Sequence, residues 1–413
     1  MLSWANRFNI CCFLDDHNYA LPGNHFSCLL AVGALHTFKP GPGKAFEELH
    51  NFQQTHNEWL IGHLSYDLKS EIEDLKSSNP DHVLFPLMHF FVPETLILIR
   101  DETIVIGVHN ERHEEIYQQV LHAPSISEQA YTSEHLQIFS RFSRDEYIAT
   151  VEKIREHILR GDCYELNFCQ EFYAENVALH PLQTFLSLIN VSPNPFSAYY
   201  KVDDKYCLCA SPERFLARRG NNLFSQPIKG TSARDLNDEH NDRLIRDALY
   251  HNLKDRSENV MTVDLVRNDM SRICINGSVK VSELYGVYTF PQVHQMISTI
   301  EGELSVEASS VEAIKACFPM GSMTGAPKKR VMELIEEYER TRRGLFSGAI
   351  GYFEPNGDFD FNVVIRSILY NSDSGYLSFQ VGSAITYASD VVAEYDECLL
   401  KGQAIKKVLT SKT

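Results

Sequence analysis

The sequence predicts an α+β chain built on largely antiparallel sheets. Long strand-like runs recur, a hairpin signal at Asn356-Gly357 joins two of them, and helical blocks interrupt the series. With 413 residues, 44% of them hydrophobic and 23% charged, the chain can bury a sizeable core.

In order, Leu96 to Gly107 reads as one or two strands, and the polar, weakly periodic stretch from Ala123 to His135 as a connection. Ser143-Arg-Asp-Glu146 forms a capping box. Tyr147, Ile148, Val151, Ile154 and Ile158 then follow at helical spacing, with Gly161 just past the end. Strand-like runs come next at Cys163–Glu171, Ala198–Val202, Tyr206–Ala210 and Arg214–Arg218, followed by a helical block over about 237–272. Leu345–Glu354 and Phe359–Tyr370 flank the Asn-Gly turn. A strand at Leu377–Gly382 and a helix over about 391–409 close the chain. The segment 1–138 is expected to form a lobe of the same sheet system as the core at 139–413.

Composition excludes several functions. The formal charge is −17, from 55 acidic against 38 basic residues, and no basic stripe exists to hold nucleic acid or an anionic membrane. An anionic substrate must therefore meet a few placed cations or a metal. The ten cysteines are scattered without a CxxC pair, which predicts reduced thiols rather than disulfides or a zinc site. The start has no signal-peptide pattern, and the most apolar window, Val83–Ile99, is broken by Pro86, His89, Pro93 and Glu94. A soluble, cytoplasmic protein is expected.

Four constellations can carry chemistry. Glu394, Glu397 and Lys401 fall at i, i+3 and i+7 of the last helix, and Asp255 and Glu258 repeat the acidic i, i+3 pair on another. Two such pairs facing each other suit a hard divalent cation such as Mg²⁺; solvated helix surface is the alternative. In Pro227-Ile-Lys-Gly-Thr231, Lys229 in an apolar context can be a desolvated amine of lowered pKa, acting as nucleophile or base, or can simply occupy a turn. The glycine-rich run Phe318–Lys329 feeds a helix start at Pro327, a general anion site without the Walker A ending. Arg366, the one cation of an apolar run, needs a structural acid or a substrate carboxylate.

Taken in order, Ser211-Pro-Glu213, Pro227–Thr231, Glu258–Asp269, Gln295–Thr299, Phe318–Lys328, Gly348–Tyr352, Val364–Arg366 and Gly382–Lys401 resemble the chorismate-utilising enzymes. That family includes anthranilate synthase large subunits, aminodeoxychorismate synthase component I, and isochorismate and salicylate synthases. The resemblance covers roughly residues 140–410, with a looser match at Trp59–Asp67. It implies a single large fold, two antiparallel sheets in a sandwich with helices outside, and a site between the sheets for Mg²⁺ and chorismate.

Carried over by position, Glu258 and Glu397 would bind the metal, with Asp255 and Glu394 beside them. Tyr352 and Arg366 would grip a carboxylate, helped by backbone groups around Gly230, Thr231, Gly382 and Ser383, with Lys401 near the metal acids. Glu213 would exchange a proton with the departing hydroxyl. Lys229 points to the aminating branch, where anthranilate and isochorismate enzymes carry Ala. Glu165 stands where isochorismate and salicylate enzymes place a water-activating Lys. The resemblance thus implies amination of chorismate at C4, with ammonia from a separate glutamine amidotransferase subunit. Anthranilate synthase, isochorismate synthase and a non-catalytic ligand-binding member are the alternatives. Departures from the family pattern are Gln295 beside His294, Ala384, Asn259 and Ser232-Ala233.

Overall fold

The computed structural model describes residues 1–19, 21–41, 43–100, 102–109, 112–124 and 136–410. Among these residues the strands form two wholly antiparallel sheets. The first runs in the order Gly325–Ala326, Glu165–Ala174, Tyr376–Thr386, Ser367–Asn371, Lys205–Ser211, Phe196–Val202, Ile10–Asp15, Cys28–Val32, Thr95–Arg100, Thr103–Val108. The second runs Ile228–Ala233, Val293–Glu303, Asn222–Gln226, Arg214–Arg219, Phe359–Asn362, Ala349–Phe353, Leu60–Leu64, Met88–Val92, His36–Phe38. Strands from before residue 138 thus enter both sheets.

Strand alternation explains the two cores. Along Ile10–Asp15 and its neighbours, Cys12, Tyr200, Cys207 and Cys209 face a cluster shared with Leu60, Phe90, Leu216 and Phe361 of the other sheet. Their neighbours Cys11, Tyr199 and Leu208 face the opposite way, onto Val151, Ile154, Phe185 and Leu334 of the outer helices. The first sheet is covered on both faces, so Glu165–Ala174 is buried almost throughout. All ten cysteines are free and buried. No helix among the described residues is long and apolar enough to cross a membrane.

Most predicted elements form with small boundary shifts, and the capping box at Ser143 is present with both of its hydrogen bonds. The connection expected over 123–135 lies mostly outside the described residues. Three long predictions break in the structure. The helical block divides at Asn252, whose side chain caps Leu253–Ser271, and the last helix divides at Gly402 into Val391–Lys401 and Gln403–Thr410. The predicted strand 359–370 also breaks, because Phe359–Asn362 belongs to the second sheet and Ser367–Asn371 to the first. Arg366 sits on that crossing with φ +53, a strained conformation for a side chain of its size.

Candidate active site

The site grows from a bulge. The edge strand Ile228–Ala233 loses register against Val293–Glu303 between Ile228 and Thr231. Gly230 takes φ +95 there, and a Cβ at that position would press on Asp255 at 3.0 Å. Glycine thus lets the helix Leu253–Ser271 approach the strand while the Lys229 amine meets Glu165 of the first sheet, Nζ to Oε1 2.9 Å. The pair bridges the two sheets with side chains 11% and 6% exposed.

The expectation of a lowered lysine pKa is wrong. Burial does push the Lys229 amine down, but Glu165, Glu258 and Glu213 outweigh it and hold the ammonium above the ordinary lysine range. The same burial raises the pKa of the acid beside it. Glu213, fully enclosed, is pushed up to about 7 by desolvation, against partial relief from Ser322, Lys229 and the Ile228 N–H. A carboxyl of that pKa can donate a proton near neutrality.

The two acidic pairs do face one another. Glu394 is 1% exposed, and Lys254 Nζ lies 3.0 Å from its Oε1, 3.7 Å from Glu397 Oε2 and 3.8 Å from Glu258 Oε1. Glu397 also pairs with Lys401 at 2.8 Å. Burial raises the pKa of Asp255 and takes that of Glu258 to about 7, whereas Lys401, Lys254 and Lys229 draw Glu397 below its ordinary value despite burial. Among the described residues, no group of three or more potential ligands is arranged to hold a metal ion as it stands. The Lys254 ammonium lies between three of the acids instead. The donor chemistry nonetheless fits a hard cation: Glu258 Oε1 and Glu394 Oε2 are buried carboxylate oxygens without a hydrogen-bond partner among the described residues.

The substrate-binding expectations divide. Arg366, with its pKa lowered by burial and partly restored by Glu397, donates from Nη1 to the Lys401 carbonyl at 3.1 Å. Lys401 donates in turn to the Gly382 carbonyl at 3.0 Å. That bond shows which edge of Tyr376–Thr386 is free: residues 376–378 alone pair with Ser367–Asn371, while 377–386 pair with Glu165–Ala174 on the other side. Gly382 therefore turns its N–H and C=O to the open edge. Thr231 is exposed on the edge strand of the second sheet.

Two expectations fail. The same alternation turns the backbone of Ser383 to its partner Phe168, and its hydroxyl lies 3.4 Å from the Tyr147 phenol and 3.5 Å from the Glu394 carbonyl. Ser383 is spent on packing. Tyr352 sits elsewhere: it pairs with Ile61 and Asp360 inside the second sheet, packs on Phe26 and Trp59, and accepts from Arg219 Nη2 at 3.0 Å. It is already satisfied, far along the sheet from the bulge.

Sequence reasoning missed Lys254 as the cation among the acids and Glu165 as the partner of Lys229. The i, i+4 spacing of Lys254 and Glu258 was available as a signal; the Glu165 contact, between strands of different sheets, had none. His294 is structural, bonded to Asp242 and Thr289 at 3.0 Å each. Gln295 stands opposite Thr231, and Asn259 accepts from Ser298 at 2.6 Å.

Known proteins match this arrangement. The family model described as chorismate binding enzyme matches residues 21–407. Aminodeoxychorismate synthase component 1 of Bacillus subtilis is 34% identical over 362 residues, 84% of this chain and 76% of that protein. Its Escherichia coli namesake is 33% identical over 365 residues, 87% and 80% of the two chains. Anthranilate synthase component I from Streptococcus pneumoniae superposes with a TM-score of 0.81 at 28% identity, covering 95% of this chain and 93% of that one. With the fold and the match over residues 21–407 in agreement, this chain belongs to the chorismate binding enzymes.

Proposed function

We propose that this chain aminates chorismate at C4, giving 4-amino-4-deoxychorismate, as the first component of an aminodeoxychorismate synthase. The carrying observation is the Lys229 amine, nearly enclosed beside Glu165 at 2.9 Å and acted on electrostatically by Glu258 and Glu213. The relatives named aminodeoxychorismate synthase component 1 support the same reading. Their designation as a component supports a partner subunit, for which a glutamine amidotransferase supplying ammonia is the chemistry required.

Glu258 and Glu397 would hold Mg²⁺, with Asp255 and Glu394 beside them. When bound, the ion would neutralise a substrate carboxylate and these acids together. Arg366 and the Gly382 N–H orient the substrate's carboxylates, and Gly230 lets backbone approach the ring. Glu213 gives its proton to the C4 hydroxyl, which leaves as water while the neutral Lys229 amine bonds to C2. Ammonia then bonds to C4 as the C2–N bond breaks, and the new C4 ammonium returns a proton to Glu213. The enolpyruvyl group is retained.

The test is intact-mass spectrometry of the protein with chorismate, Mg²⁺ and no nitrogen source, followed by product identification after ammonium is added. The expected result is a covalent adduct in wild type, absent in Lys229→Ala, and 4-amino-4-deoxychorismate as product. The likeness to anthranilate synthase component I favours one rival. Fluorescent anthranilate formed without an added lyase would establish that rival, and turnover with water alone would establish isochorismate formation.

A further inference from the structure

We propose that Glu165 is the proton acceptor that frees the Lys229 amine for attack and returns the proton when that amine departs. This role rests on the amination reading above. It begins from a conflict within the site: a nucleophilic amine needs its lone pair, yet the Lys229 amine is held in a nearly enclosed ion pair with Glu165 at 2.9 Å. Some group must take the proton at the moment substrate is bound.

Geometry selects Glu165. Glu213, Glu258 and Glu165 all act on the amine, but among the described residues only Glu165 is hydrogen-bonded to Nζ, at 2.9 Å. Glu213 must itself deliver a proton to the leaving hydroxyl, and Glu258 belongs with the carboxylates around Lys254. Glu165 is also rigidly carried. It opens the strand Glu165–Ala174, pairs with Ala326 on one side and Thr386 on the other, and its carbonyl packs so tightly against Gly325 that a Cβ there would lie 2.0 Å away. A base fixed on a strand paired on both sides can hold hydrogen-bond geometry while Lys229 moves on its bulge.

Substrate entry supplies the driving force. The pair is nearly enclosed already, and a bound ring would exclude the remaining water. An ion pair loses more solvation than the neutral amine and neutral acid, so closure shifts the proton from Nζ to Oε1. The balance is complete. Lys229 ammonium and Glu165 carboxylate become amine and carboxylic acid; the amine attacks C2 while the C4–O bond breaks and Glu213 protonates the hydroxyl. The adduct is then a secondary ammonium. Attack of ammonia at C4 expels neutral lysine, which recovers its proton from Glu165, and the C4 ammonium reprotonates Glu213. Chorismate and ammonia give 4-amino-4-deoxychorismate and water, with both carboxyls restored.

The decisive variant is Glu165→Gln, assayed with ammonium salt, Mg²⁺ and chorismate across pH 6.5 to 9.5. Removing the carboxylate makes Lys229 easier to deprotonate, so a purely electrostatic pair predicts unchanged or faster turnover. Loss of the base predicts the reverse: kcat lower by about a hundredfold or more at pH 7.5, with KM for chorismate within about threefold. That deficit should shrink about tenfold per pH unit as solvent hydroxide replaces the missing acceptor. Lys229→Ala/Glu165→Gln should be no slower than Lys229→Ala alone. Glu165→Asp, which keeps a carboxylate, should recover at least about tenfold over Glu165→Gln.

A Glu165→Gln enzyme within threefold of wild-type kcat overturns the proposal, as does a deficit that is the same at every pH or is not relieved by Asp. Wild type that makes no 4-amino-4-deoxychorismate overturns the amination reading instead, whatever Glu165 does.

Discussion

Two arginines, the buried Arg343 and the half-buried Arg366, show how the same chemical group serves opposite purposes. Arg343 is saturated. It binds both Glu339 oxygens at 3.0 and 2.6 Å, the carbonyls of Met323 and Asn167 at 2.6 and 2.8 Å, and Ser347 at 3.4 Å. Glu339 in turn accepts the Cys169 N–H at 2.9 Å. Arg366, held at φ +53, donates to the Lys401 carbonyl alone among the described residues. Glu397 acts on it electrostatically, and Glu258 and Glu394 each keep a buried oxygen without a hydrogen-bond partner among the described residues. A satisfied buried network fixes the fold; an unsatisfied one is built for a guest.

That contrast can be broken experimentally, beginning with the largest effect. Glu397→Gln should lower amination by about a thousandfold, ~4 kcal/mol, while circular dichroism and thermal melting stay like wild type. Wild-type-like rates would mean that Glu397 is not needed for turnover. Arg343→Met should do the converse, costing about 3 kcal/mol in urea denaturation because Glu339 is left buried and unpaired. An Arg343→Met protein of undiminished stability would remove the distinction between the two networks.

Glu213 sharpens the comparison through pH. Its carboxyl has an ordinary value of 4.5 and a folded value of about 7, so the folded chain holds a proton that the unfolded chain has released. Its contribution to stability is thus complete below pH 4.5 and is lost as pH rises through 7. Glu213→Gln should accordingly stabilise the protein at pH 8, on the order of 3 kcal/mol, and not at pH 4, while amination collapses. Equal unfolding curves for the two proteins at pH 8 would contradict a carboxyl pushed up to about 7 by burial. The smallest effect concerns Lys254. If its ammonium competes with Mg²⁺, Lys254→Met should tighten the metal's Kd about tenfold by calorimetry, ~1.4 kcal/mol; weaker binding would make Lys254 a support for the acids rather than a rival cation.

The legible features were local. Helical spacing put Glu394, Glu397 and Lys401 on one face and repeated the pattern at Asp255 and Glu258, and ordered motifs carried the family resemblance. Tyr352 and Ser383 were misplaced because sequence gives no strand direction: one pleat step, or one position along a sheet, decides whether a side chain meets the cleft or a neighbour. The long strand expected through Arg366 hid a crossing between sheets, since an apolar run reads alike whichever sheet it joins.

The amino-acid sequence by itself determined which residues share a helix face, where caps and turns begin elements, and that antiparallel sheets would carry them, because these depend on periodicities of a few residues. Tertiary structure alone decided that Lys229 meets Glu165 across two sheets, that Lys254 lies among acids from two helices, and that Lys229 is held protonated rather than neutral. Those outcomes depend on charges far apart in the chain and brought together in a space where water no longer screens them.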